Sequence, residues 1–173
     1  MDNIPTPDRC IELLKENGCT EQIIRHCLAV RDVAVKIAKK ANADVAIVEA
    51  GALLHDIGRS KTHGILHSIE GAKIAEKLGL PDSIIKIIER HIGAGVPAND
   101  AKRLGLPEKD YIPITLEEKI VCHADSMVNN DRQQRIEVEL ERVIMEGHTD
   151  YAIRLIKLHK ELSDIIGMDV NLI

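Results

Sequence analysis

The stretch GALLHDIG, residues 51–58, closes a segment from Asp44 onward in which Asp44, Glu49, His55 and Asp56 are the only polar side chains. Its length and its lack of alternating polarity fit a helix, with Asp44 as N-cap and Gly58 as its end. A helix that is apolar almost all round belongs at the centre of a bundle. His55 and Asp56 thus arrive at the exit of the most buried element. A carboxylate there is costly unless a cation compensates it.

Helical periodicity continues on both sides. Residues 7–17 carry Cys10, Ile11, Leu13 and Leu14 on a short amphipathic helix ended by Gly18. A second helix runs from Thr20, its N-cap, to about Lys40, with the stripe Ile23, Ile24, Cys27, Val30, Val33, Ala34 and Ile37. Beyond the loop RSKTHG, helices are expected over 66–78 and 81–91, the latter opened by Pro81 and stopped before Gly93. Residues 93–114 read as a long loop with one short helix near 99–105. Thr115 and Glu118 form a capping-box pattern that opens a helix through about Val128. Two further helices, 131–146 and 149–165, precede an apolar tail from Ile165 to Ile173. No stretch reads as a hairpin. The fold class is therefore all-α, a compact helical bundle with one domain over 1–173, in which 131–173 is a C-terminal helical extension.

Composition narrows the function classes. The chain of 173 residues is 45% apolar but 1% aromatic, so its core must be built from Ile, Leu, Val, Ala and Met. A net charge of −5 with both signs interspersed argues against general nucleic-acid or membrane-surface binding, because both partners are polyanionic. It leaves room for a small phosphate ester in a locally positive pocket. The four cysteines, Cys10, Cys19, Cys27 and Cys122, form no C-x-x-C pair and read as reduced thiols serving as small hydrophobes. The first residues, MDNIPTPDRC, lack the features of a signal peptide, and no apolar run approaches the ~20 residues of a membrane span. A soluble, cytoplasmic protein is expected.

The His55-Asp56 pair has company. His26, His67, His91 and Asp125 lie on four other expected helices, each at or beside an apolar face. A single histidine in such a place is more often a satisfied core residue than a ligand. Six such residues together are harder to dismiss, since burying two aspartates and four histidines would require a partner for each, and no Lys or Arg is evident on the same faces.

The order H…HD…D, filled by His26, His55-Asp56 and Asp125, resembles the HD-domain superfamily of metal-dependent phosphohydrolases, as does the local wording GALLHDIG at 51–58 and HADS at 123–126. His67 in HSIEGA and His91 in ERHIG resemble the subset that holds two metals. That subset includes bacterial diadenosine tetraphosphate hydrolases and cyclic-dinucleotide phosphodiesterases. The resemblance covers roughly residues 20–130, the metal-binding core. Arg90-His91-Ile92 departs from the paired histidines of the cyclic-dinucleotide enzymes, which weakens the case for that substrate class.

The resemblance implies an HD-type fold and two metal ions. Metal one would take His26, His55, Asp56 and Asp125; metal two would take Asp56 as a bridge, His67 and His91. Adjacent helical residues point roughly 100° apart, so His55 and Asp56 share a metal only where the helix ends, and Gly58 is expected to supply that end. Imidazole and carboxylate ligands without thiolate suit Fe, Mn, Co, Ni or Zn better than Ca. Two divalent ions, about +4 together, against two aspartates leave a positive pocket. The implied reaction is hydrolysis of a nucleotide, dinucleotide or cyclic nucleotide at a phosphate ester or anhydride, by a bridging water made acidic enough to attack phosphorus as hydroxide. His55 and Asp56 are the catalytic pair in that scheme.

Arg59 and Lys61, just after the pair, are candidates for phosphate binding; a solvated basic loop describes them equally well. Arg90 and Lys86 read as solvated. His63 competes with His67 for metal two, and His67 is favoured because its helix carries Gly71-Ala72, where small residues allow close packing. His123 suits a supporting or surface position, and His148 and His159 the surface. Tyr111 is the one aromatic expected near the site that could stack on a base. A competing reading is a metal-binding regulatory or scaffold domain without turnover, in which filled ligand shells are structural and the last helices form a partner or homodimer surface. The apolar tail suits docking on a neighbour or on its own domain alike.

Overall fold

The computed structural model describes residues 3–173. Among them nine α-helices are present: α1 (Pro7–Glu16), α2 (Glu21–Ala41), α3 (Val45–Leu54), α4 (His67–Lys77), α5 (Asp82–Arg90), α6 (Ala98–Arg103), α7 (Leu116–Ser126), α8 (Ile136–Met145) and α9 (Thr149–Ile166). The fold is all-α, as the periodicity indicates, and α3 is its axis. Asp44 caps α3 by accepting from the main-chain N–H groups of Ala46 and Ile47. The charge of Glu49, the one polar side chain in its body, is met by Arg31 at 3.1 Å. One core cluster on the flank of α3 gathers Val33, Ile37, Ile120, Val121 and Leu155 from α2, α7 and α9. The other gathers Leu14, Ile24, Leu53, Leu54 and Ile88 from α1, α2, α3 and α5.

Close approaches around the end of α3 set where its neighbours lie. A Cβ at Gly51 would fall 2.5 Å from Ile87 Cδ1, so α3 and α5 meet there nearly backbone to side chain. The helix ends at Leu54, four residues before Gly58, and a 3₁₀ turn over Ile57–Ser60 follows. The expectation that Gly58 ends the helix is therefore corrected. Its lack of a side chain serves a different purpose, because a Cβ there would lie 1.8 Å from the His67 carbonyl oxygen and 2.5 Å from Gly71 N. The turn and α4 press main chain against main chain.

Two other expectations change. Residues 128–133 form a two-residue antiparallel ladder, β1 (Val128–Asn129) with β2 (Arg132–Gln133), and α8 begins only at Ile136. Asn130, with φ of 55°, makes the turn; asparagine tolerates the left-handed region better than most residues. In the capping box of α7, Thr115 accepts from Glu118 N, but Glu118 accepts from Ile114 N, one residue before the cap. Glu118 is buried and also holds Arg90 at 2.9 Å, so Arg90 is a structural partner rather than a solvated residue.

The C-terminal helices pack on their own domain. Leu155, Leu158, Leu162 and Val170 are buried in the same cluster as α2 and α7, with Ile166 and Ile173 packed against it. All four cysteines are free and buried. No helix among the described residues is long and apolar enough to cross a membrane.

Candidate metal centre

Each ligand candidate reaches the centre from the end of an element. His55 is the C-cap of α3 and His91 the C-cap of α5. The last carbonyls of a helix have no partner within it. Here the carbonyls of Ala52 and Ile88 accept from the Nδ1–H groups of His55 and His91, each at 2.7 Å and three residues upstream. His67, the first residue of α4, donates Nδ1–H to the Gly64 carbonyl at 2.8 Å, and His26, in mid-α2, donates to the Asn130 carbonyl at 2.6 Å. The turn of the small hairpin thus orients His26. With Nδ1–H engaged in all four rings, every Nε2 faces inward and offers its lone pair when the ring is neutral.

These lone pairs converge on two carboxylates. Asp56, whose backbone lies in the bridge region at φ −99° and ψ 13°, divides its oxygens between two histidine pairs. Oδ2 lies 3.8 Å from His26 Nε2 and 3.7 Å from His55 Nε2. Oδ1 lies 3.1 Å from His67 Nε2 and 3.6 Å from His91 Nε2. Asp125 Oδ1 stands 3.0 Å from His26 Nε2 and 3.5 Å from His55 Nε2. His67 Nε2 and His91 Nε2 are 3.0 Å apart, two acceptors face to face.

The donor set fits metal ions. His55 Nε2 and Asp56 Oδ1 are buried without a hydrogen-bond partner. Two ligand groups, His26–His55–Asp125 and His55–Asp56–His91, each have their donor atoms within 4.8 Å of one another. Burial works against charge on both carboxylates, yet His55, with His67 and His91, holds Asp56 well below the usual carboxylate range. His55 and His26 do the same for Asp125. Burial likewise opposes charge on His55, but Asp56, Cys27 and Asp125 outweigh it and raise its pKa well above the usual imidazole value. Burial lowers His91, with His55 and His67 adding to the effect. Two ionised carboxylates ringed by imidazole nitrogens suit cations.

All six ligand candidates therefore meet at one place. Arg59 also reaches it, donating Nε–H to Asp56 Oδ2 at 2.6 Å. The sequence reading that no arginine shares these faces is corrected: the 3₁₀ turn brings Arg59 back over Asp56. Lys61 and His63 are exposed, and neither lines the adjoining cavity. Cys27 and Cys122 pack in the core.

That cavity, of about 820 Å³, runs from Arg59, His67, His91 and Asp125 to the turn between α8 and α9. Tyr111 is 1% exposed, its hydroxyl bonded to the Pro107 carbonyl, and offers no stacking face. The aromatic on the cavity wall is Tyr151, in the C-terminal extension, with its hydroxyl on Glu139. Because the chain has only two tyrosines and no other large aromatic, this residue could have been singled out beforehand. His123 is fully buried rather than superficial; it bonds His159 at 3.0 Å, which bonds Asp169 at 3.1 Å.

Known proteins resemble the chain at two levels. The family model described as HD domain matches residues 23–130. The tRNA (cytidine(56)-2'-O)-methyltransferase of Thermoplasma volcanium is 44% identical over 168 residues, 97% of this chain and 50% of that protein. An uncharacterized protein of Methanocaldococcus jannaschii is 42% identical over 167 residues, 92% of this chain and 98% of that one. The chain thus spans about half the length of the methyltransferase it matches and nearly all of the second relative. Among solved structures, the HD domain of the L. monocytogenes phosphodiesterase PgpH in complex with cyclic-di-AMP superposes with a TM-score of 0.59 at 21% identity, covering 90% of this chain and 93% of that one. At that identity the likeness is one of fold.

Proposed function

The chain belongs to the HD domain family, and from that premise we propose that it is a metal-dependent phosphohydrolase acting on a nucleotide, dinucleotide or cyclic nucleotide. The observation that carries this reading is the convergence of four imidazole Nε2 atoms, each with its Nδ1 proton bound to a main-chain carbonyl, on Asp56 and Asp125. His26, His55, Asp56 and Asp125 would hold one divalent transition-metal ion, and His67 and His91, sharing Asp56, a second. When bound, the ions supply an acidified water and neutralise charge developing at phosphorus. Asp56 stays ionised and orients both halves of the centre. The carbonyl anchors keep the imidazoles from rotating, so ligand positions are set before substrate arrives. Arg59, on the cavity wall beside Asp56, would take a phosphate oxygen with the guanidinium donors not held by Asp56 and the His63 carbonyl.

The test is direct. Bound metals are quantified on the purified chain. Phosphomonoesters, dinucleotides and cyclic nucleotides are then assayed with Mn, Ni, Co and Fe. Hydrolysis that survives Asp56→Ala with metal absent would overturn the reading.

One observation favours a second reading, in which the centre is structural and the domain serves RNA modification. The T. volcanium tRNA methyltransferase carries a sequence 44% identical to this chain across half its length. Under this reading the metal-loaded chain hydrolyses none of the panel and retains a tRNA in gel-shift assays.

A further inference from the structure

We propose that Glu139 and Glu146 of α8, with Asp100 of α6, form a charge filter that restricts the cavity to substrates bearing a single phosphate. The inference rests on the phosphohydrolase reading above and specifies the substrate class for that site.

The cavity is far larger than a phosphate group, at about 820 Å³, and within the range that holds a whole small-molecule ligand. Its two ends differ in charge. The near end has Arg59 and the ligand cluster. The far end has three arginines, and each is paired with an acid, Arg154 keeping a buried Nε without a partner. Arg142 donates through Nε to Glu139 at 3.0 Å, through Nη2 to the same carboxylate at 2.5 Å, and through Nη1 to Glu146 at 2.7 Å. Arg154 donates to Asp100 at 3.3 Å, and Arg103 also pairs with Asp100. With Asp150, the far end sets four carboxylates against three arginines.

A second phosphate entering this region would compete with the carboxylates for these arginines and lie beside the acids, where like charges repel. An uncharged nucleoside meets no such cost. Carboxylate oxygens accept from ribose hydroxyls and base amines, and Ile92, Leu104 and the Tyr151 ring supply apolar wall. Glu139 and Glu146 lie on α8, outside the matched residues 23–130, and Asp100 on α6 within them, so the filter joins the core to the extension. Glu139, Arg142 and Tyr151 also border a second, smaller cavity of about 290 Å³ behind Asp125. Of these charges Glu139 is the one largely buried, while Arg142 and Glu146 also reach solvent.

The experiment is isothermal titration of the Mn-loaded full chain at pH 8. The ligands are a nucleoside 5′-monophosphate, a 2′,3′-cyclic nucleoside monophosphate, a cyclic dinucleotide and a dinucleoside tetraphosphate. The singly phosphorylated ligands should bind at least about tenfold tighter than the tetraphosphate, and Glu146→Gln or Glu139→Gln should narrow that gap about fivefold. Thermal unfolding checks that both variants are folded; Glu146 is on the surface, so its substitution leaves the core intact. Equal or tighter binding of the tetraphosphate, no binding of any nucleotide, or an unchanged gap in both folded variants overturns the filter. Selective binding without turnover supports it and sinks the hydrolase reading. Preferred hydrolysis of the tetraphosphate sinks the filter and leaves the hydrolase reading standing.

Discussion

At Asp56 a single carboxylate faces two pairs of histidines, one through each oxygen. Removing His67 should therefore empty one half and spare the other: His67→Ala is expected to lower bound metal from two ions per chain to one, read by elemental mass spectrometry. Asp56→Asn should weaken both halves by about a hundredfold or more, since it takes away the shared charge. His123 gives a pH prediction. Burial, with His159 adding to it, pushes its pKa down to about 3, from an ordinary value of 6.5. The unfolded chain takes up a proton below pH 6.5 that the folded chain refuses, so this residue withdraws stability progressively as pH falls from 6.5 to 3. His123→Gln should flatten that limb of a urea-denaturation series. The identities of the six ligand candidates were legible in sequence because imidazole and carboxylate are conspicuous on apolar faces. Their anchors were not. A main-chain carbonyl such as that of Asn130 carries no residue signature, whereas the i,i+3 spacing of Asp56 and Arg59 is one at which helical side chains meet and could have been weighed.

Among the elements, the 3₁₀ turn after α3 and the start of α4 are joined by contact too close for any side chain. Gly58→Ala should destabilise the fold by at least about 3 kcal/mol, because the new methyl meets backbone atoms that cannot yield locally. The same variant should push His67 off the centre and reduce the second ion's occupancy, whereas chemical denaturation reports the stability loss. Long helices were read nearly to the residue, since α2, α5 and α9 each show an apolar stripe and a cap or stop. The hairpin over 128–133 escaped because strands of two residues cannot display an alternating pattern, and its turn is flanked by polar residues that also suit a helix start. That omission mattered for function, as this turn orients His26.

For the molecule as a whole, the extension and the core are one packed body, and the cavity lies between them. Sequence reasoning could place α8 and α9 but not the face they turn toward the centre, because that follows from packing between residues more than a hundred apart in the chain, such as Leu155 and Leu158 of α9 in one cluster with Val33 and Ile37 of α2. If metal binds the folded chain alone, Mn at a hundred times its dissociation constant adds about 2.7 kcal/mol of stability. For a chain of this length that is a rise in Tm of roughly 5–10 °C over the chelated form, measurable by calorimetry. A smaller rise would mean that the unfolded chain also binds the ion.

The carbonyl anchors bear on how the protein can change over time. Ala52, Gly64, Ile88 and Asn130 contribute to the centre through atoms that every residue possesses. Substitution at these positions is constrained by backbone shape and packing, and not by any demand that the imidazoles place on chemical identity. The centre's orientation is thus inherited with the fold, while the side chains around the far end of the cavity remain open to drift toward new ligands.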